Sequence, residues 1–228
     1  WNITNHGAKE NHYIYVLKPK IPKGGNRICT FLYHYLRRIK FSDTCQKRCP
    51  RLVLMADNYV ENKCNTLLCF LSLLIHWKWF RSVELLFGPV GHTHNGNDSV
   101  HNCHNNGAGD FAMNTLAEFI SMFPLAWTNV DARPAAVYVE DLLDWDTYFA
   151  PHQRKVSGLT ANVHSELYVR AIILEEGPSG QVEMKYKGSP ANPEWGGLSE
   201  PDDVYPAAEG FVLLTSIPTG VPQKLNFD

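Results

Sequence analysis

The stretch "LVLMADNYVENKCN", residues 52–65, decides how this chain is read. Leu52 to Ala56 are apolar without a break, which predicts a buried strand over 51–56. Asp57 and Asn58 follow at once, with Glu61, Asn62 and Lys63 close behind. A carboxylate at the tip of a buried strand has two readings. Asp and Asn are favoured at helix N-caps, so Asp57 caps the helix that follows. Alternatively, its oxygens suit a hard divalent cation.

The neighbouring segments frame that strand. "WNITNHG" and "HYIYVLKP" read as a hairpin. In "NRICTFLYHYLRRIK", residues 26–40, apolar residues recur at spacings of three and four, which predicts an amphipathic helix. Residues 61–78 predict a helix that is apolar on most sides, and 82–90 another strand stopped by Gly88 and Pro89. Residues 98–104 and 110–122 are helical candidates. Strands alternating with helices predict one mixed α/β sheet covered on both faces. In such sheets ligands gather beyond the carboxyl ends of the strands, where Asp57 stands.

The pattern changes near residue 125. Residues 126–160 read as a connector, "AWTNVDARPAA", followed by a short acidic helix in "VEDLLDWDTYF". Residues 161–228 read as a small β-rich appendage, with a hairpin turning at "GPSG" and a last strand in "GFVLLTSI". Residues 1–125 are then the core.

Composition narrows the possible functions. The chain has 228 residues, 44% hydrophobic and 19% charged, enough for a sizeable core. A net charge of −2 excludes a protein that holds nucleic acid by overall charge, so such contacts need local patches. The one basic cluster is Arg37, Arg38, Lys40, Lys47, Arg48 and Arg51, and Lys63 is a further candidate for a phosphate. Six cysteines show no compact disulfide spacing, so reduced thiols and a nuclear or cytoplasmic, non-secreted protein are expected. The most apolar stretch, Thr66 to Ile75, is about half a membrane span, so no membrane is expected as partner.

A second unusual stretch is "GHTHNGND", residues 91–98. Between Asp57 and Asp98 lie one helix and one strand, which return the chain to the same edge of the sheet. Acids from two such elements can share a metal site for phosphoryl transfer. His92, His94, His101, Cys103 and His104 offer a rival, a zinc site, although their spacing fits no familiar finger.

The order hairpin, helix, strand–Asp57, helix, strand, helix–Asp98 is similar to the RNase H-like core of transposases and retroviral integrases. At motif level, "ADNYVENKCN" and "FGPVGHTHNGND" resemble the paired blocks of a transposon-derived domain of unknown function, D-N-x-x-x-[EQ]-N-K-N and G-H-T-H-N-x-x-D. "GGNRICTFLYHYL" resembles that family's upstream helix, R-G-x-N-E-x-x-S-x-L-x-x-Y-L. The resemblance spans roughly residues 1–190.

It implies a DDE-type fold, DNA as partner, and Mg²⁺ or Mn²⁺ held by Asp57 and Asp98. His92 and His94 would orient the site or carry protons, and Asn58, Glu61 and Asn62 would support it. Two departures stand out. The first block is one residue short, with Cys64 where Asn is usual. The first acid of such a triad belongs on a strand that would precede residue 1, so a truncated or decayed copy is expected, with activity in doubt. Two rivals remain. One is a non-enzymatic, domesticated module that binds DNA or protein. The other is a zinc-dependent hydrolase built on His92 and His94.

Overall fold

The computed structural model describes residues 2–4, 12–16, 23–40, 50–57, 60–88, 102, 105–106, 113–126, 135–154, 169–187 and 211–225. The chain is mixed α/β and divides into two compact units. One takes Trp1–Ile21, Thr93–Asp141 and Phe227–Asp228; the other takes Pro22–His92 and Leu142–Asn226.

The first unit holds the predicted hairpin. Strands β1 (Asn2–Thr4) and β2 (His12–Val16) pair antiparallel. The third strand of the sheet is Ala135–Tyr138, which runs parallel to β2 and falls where the sequence reads as a connector. Helix Leu116–Leu125 begins later than the 110–122 pattern suggests, because Thr115 and Glu118 form a capping box at its start. Its Met122 and Phe123 bury against Ile14 and Val16.

The second unit is built on a five-stranded sheet. In chain order its elements are helix α1 (Gly25–Lys40), β3 (Arg51–Ala56), a 3-10 turn (Val60–Lys63), α2 (Asn65–His76) and β4 (Ser82–Phe87). With Ala135–Tyr138 as β5, Leu116–Leu125 as α3 and Trp145–Phe149 as α4, the remaining strands are β6 (Ala171–Glu176), β7 (Val182–Lys187) and β8 (Phe211–Val212). The order is β3-β4-β6-β7-β8; β3 and β4 are parallel and the other pairs antiparallel.

Three expectations are corrected here. Among the described residues the single mixed sheet is in fact two, because the hairpin pairs with β5 and not with β3 or β4. The C-terminal strands are not a separate appendage, since β6 bonds directly to β4 and extends the same sheet. The third is that β3 is not buried on both sides. Its residues alternate, with Val53 50% and Met55 68% exposed, while the row of Leu52, Leu54 and Ala56 aligns with buried Val83, Leu85 and Phe87. That second row continues into Ile172, Leu174, Met184 and Tyr186, all buried, and α2 packs against β4, β6 and β7. The first row continues instead through Glu84, Glu175 and Lys185, with ion pairs Arg51–Glu84 and Lys185–Glu175.

Helix α2 is apolar nearly all round because it is covered all round: Thr66 to Ile75 are buried between the sheet and helices α1 and α4. Its start meets the start of α1 closely. A Cβ on Gly25 would stand 2.8 Å from Thr66 Cβ and 3.0 Å from Cys64 Sγ. Its end is a Schellman closure built on a lysine. Lys78 takes φ 57°, Lys78 N–H donates to Ile75 O at 2.8 Å, and Trp79 N–H donates to Leu74 O at 3.0 Å.

A buried polar node joins the helices. Trp145 is fully buried, and its Nε1–H donates to Thr30 Oγ1 at 3.2 Å. The same oxygen accepts Leu143 N–H at 3.1 Å, and its own proton goes to Asn26 O at 2.7 Å. Asn26 Oδ1 accepts Asp146 N–H at 2.8 Å, and the Thr66 hydroxyl donates to Asp146 Oδ1. Thr30→Val keeps the shape and removes the acceptor for one buried and one half-buried N–H group. We expect it to lower stability by about 2–4 kcal/mol. A fall in the urea midpoint at unchanged m-value would report it.

Candidate functional site

Because β3 and β4 are parallel, their carboxyl ends lie side by side, with Ala56 in register with Phe87. Gly88 N–H donates to Ala56 O at 3.2 Å. Asp57 follows Ala56 on one strand, and "GPVGHTHNGND" starts at Gly88 on the other. Asp57 and Gly88 therefore leave the sheet at adjacent points.

Asp57 is exposed. Its Oδ1 accepts Asn62 Nδ2–H at 2.5 Å, and the same amide reaches Asp57 O at 3.4 Å. Asn62 can turn back because the 3-10 turn shortens the path from strand to helix. Asp57 does not cap α2: the N-cap of that helix is Cys64, with no side-chain cap bond. Of the predicted supports, Asn62 thus touches the acid. Asn58, His92, His94, Asp98, His101, Cys103 and His104 lie outside the described residues, as does the side chain of Glu61. No group of three or more potential metal ligands occurs among the described residues.

The basic residues separate. Arg37 and Arg38 are exposed on α1. Arg51 is committed to the ion pair with Glu84. Lys47, Arg48 and the side chain of Lys40 fall outside the described residues. Lys63 corrects its expectation as a phosphate contact. It is only 3% exposed, donates to Val169 O at 3.0 Å and lies 4.6 Å from the centre of the Phe87 ring. It fastens the 3-10 turn to the residues before β6. Burial, and then the charge of Arg170, lower its pKa to about 8.

Cys29, Cys64 and Cys69 are free thiols. Burial raises all three pKa values, that of Cys69 to about 12. Such thiols are poor nucleophiles and poor metal ligands. Tyr33, Trp77 and Trp79 gather beside Arg37 and Arg38, a grouping missed in the sequence. The doublet of tryptophans around Lys78, "WKW", was the available signal.

Lys63 makes stability depend on pH in a defined window. Its folded pKa, about 8, lies below its ordinary value of 10.5. Between those values the unfolded chain binds more protons, so the contribution to stability rises with pH across the window and is absent below it. The difference in unfolding free energy between the native chain and Lys63→Met should shift in favour of the native chain as pH rises from 8 to 10.5. The shift should be on the order of 2–3 kcal/mol, read from urea titrations at stepped pH.

No helix among the described residues is long and apolar enough to cross a membrane. No curated protein matches the chain. No solved structure matches it. A family model matches residues 3–191, the greater part of the chain and both quoted motifs, and its description is Domain of unknown function (DUF7869). This chain belongs to that family.

Proposed function

We propose that this domain is the core of a transposon-derived, DDE-type nuclease or integrase-like enzyme with an RNase H-like ancestry, acting on DNA. One observation carries the reading. An exposed carboxylate, Asp57, stands at the carboxyl end of β3, and the block that holds Asp98 starts at the same end of the adjacent parallel strand. Crevices at that position are the usual ligand sites of open α/β sheets.

The donors suit Mg²⁺ or Mn²⁺, since Asp57 and Asp98 offer hard carboxylate oxygens. Bound there, the cation would polarise a phosphodiester and help to form the attacking hydroxide. The protein's own part is positional. Asn62 holds the Asp57 carboxylate in one orientation through its 2.5 Å bond. His92 and His94 would orient the scissile phosphate or carry a proton, with Asn58 and Glu61 beside them. Among the described residues β3 has one strand neighbour, β4. An RNase H-like core would set a further strand, carrying the first acid, along the other edge of β3.

The test is Mn²⁺ binding to the chain, with cleavage of labelled duplex DNA read alongside. We expect weak metal binding that Asp57→Asn and Asp98→Asn each abolish, and nicking only from a chain that also supplies the first acid. Asn62→Ala should weaken the metal binding about 10–100-fold by freeing the carboxylate. Metal binding that survives both aspartate changes would overturn the reading. DNA binding without metal binding, indifferent to Asp57→Asn, would support a non-enzymatic module instead.

A further inference from the structure

The exposed stripe of α1 and the turn after α2 enclose an open groove of about 930 Å³. Its walls are Tyr33, Arg37 and Arg38 from α1, Trp77 and Trp79 from the turn, and Gly220 from the C-terminal segment. Tyr33 and Arg37 are four residues apart on one helix face, and the Arg37 guanidinium lies 5.9 Å from the centre of the Tyr33 ring. No carboxylate lines the groove among the described residues.

The two indoles share this wall because of Lys78. Residues two apart on a continuing helix would point to different sides. The left-handed backbone at Lys78 turns the chain back, so the rings of Trp77 and Trp79 come to 5.3 Å. Trp79 also lies parallel to Tyr33, at 15° and 6.2 Å, and Trp77 is 6.2 Å from Tyr33. This arrangement has a fixed base. Tyr33 abuts buried Trp145 at 5.6 Å, and the Tyr148 hydroxyl donates to Gly220 O at 3.0 Å. The left-handed residue is the helix's own Schellman closure, and it sets both indoles on one wall.

Aromatic faces joined to guanidinium groups select for chemistry. A quaternary ammonium or methylated lysine would suit the rings alone, but Arg37 and Arg38 repel it. A purely apolar segment would make no use of the exposed Arg37 guanidinium in the wall. A ligand that is both flat and anionic satisfies both. We propose that the groove binds a single-stranded stretch of nucleic acid, with a base against the Trp77–Trp79–Tyr33 wall and its phosphates on Arg37 and Arg38. Sequence-tolerant single-strand binding combines these two contacts. A duplex cannot supply them, because its base faces are stacked inside. The site is separate from Asp57, so it stands or falls independently of the metal reading.

The experiment uses the full chain with a fluorescein-labelled thymidine 12-mer, read by anisotropy and by quenching of tryptophan emission. We expect saturable binding with quenching, weakened by salt with a log–log slope near about −1.4 for two phosphate contacts. Trp77→Ala should weaken it about tenfold or more, with Trp77→Phe retaining most of the affinity. Arg37→Glu, at an exposed position that folding tolerates, should weaken it at least about tenfold and flatten the salt slope. Asp57→Asn should leave it unchanged. Absence of binding at about 0.1 M salt overturns the proposal, as does unchanged affinity in Arg37→Glu. So does equal affinity for a duplex of the same length, or for thymidine monophosphate alone.

Discussion

The hydroxyl of Thr30 and the indole of Trp145 form the contact on which the second unit depends. An indole N–H sealed in a core needs an acceptor, and a threonine on α1 supplies it. The same oxygen fixes the backbone at Leu143, so the chain entering α4 is tied to α1 before Trp145 is packed. Trp145 then stacks on Phe149 and meets Phe70 edge to face. Three helices are locked by one buried side chain and one hydroxyl. Asn26 and Thr30, both on α1, act here as cross-links between helices.

From that fixed layer the placement of Asp57 follows. Helix α2 is held against the sheet, so the row of Leu52, Leu54 and Ala56 must face it. The parallel crossover through α2 then brings β4 beside β3 with both carboxyl ends together. Asp57 is exposed because it continues the outward row of Arg51, Val53 and Met55. Asn62, bent back by the 3-10 turn, restrains the carboxylate.

Much of this was legible in the sequence, for local reasons. Pro50 and Asp57 bracket β3, and its span reads correctly as 51–56. The start and end of α1 and the hairpin of β6 and β7 around "GPSG" are equally plain. The two faces of β3 were not, because Val53 and Met55 are apolar although exposed, and apolar residues on both rows hide the alternation. Strand β5 was missed because its four residues, after Pro134, gain their identity from β2, more than a hundred residues earlier. Strand pairing between distant segments also decided that there are two sheets. Lys63 misleads for the same reason: a lysine in a polar turn reads as exposed, and only Val169 and Phe87, both distant in sequence, bury it.

The buried state of Lys63 has a consequence for observing this region. Burial lowers the pKa of this lysine to about 8, so it gives up its proton more readily than an exposed one. Yet the nitrogen is sealed between Val169 and the Phe87 ring, and no reagent reaches it while the turn is closed. Acylation of this one amine therefore waits on the turn carrying Asn62 lifting away, and with a slow reagent its rate follows the population of the opened turn. The lysine is a chemical clock for local opening beside the candidate acid, and it runs with no substrate, metal or partner present.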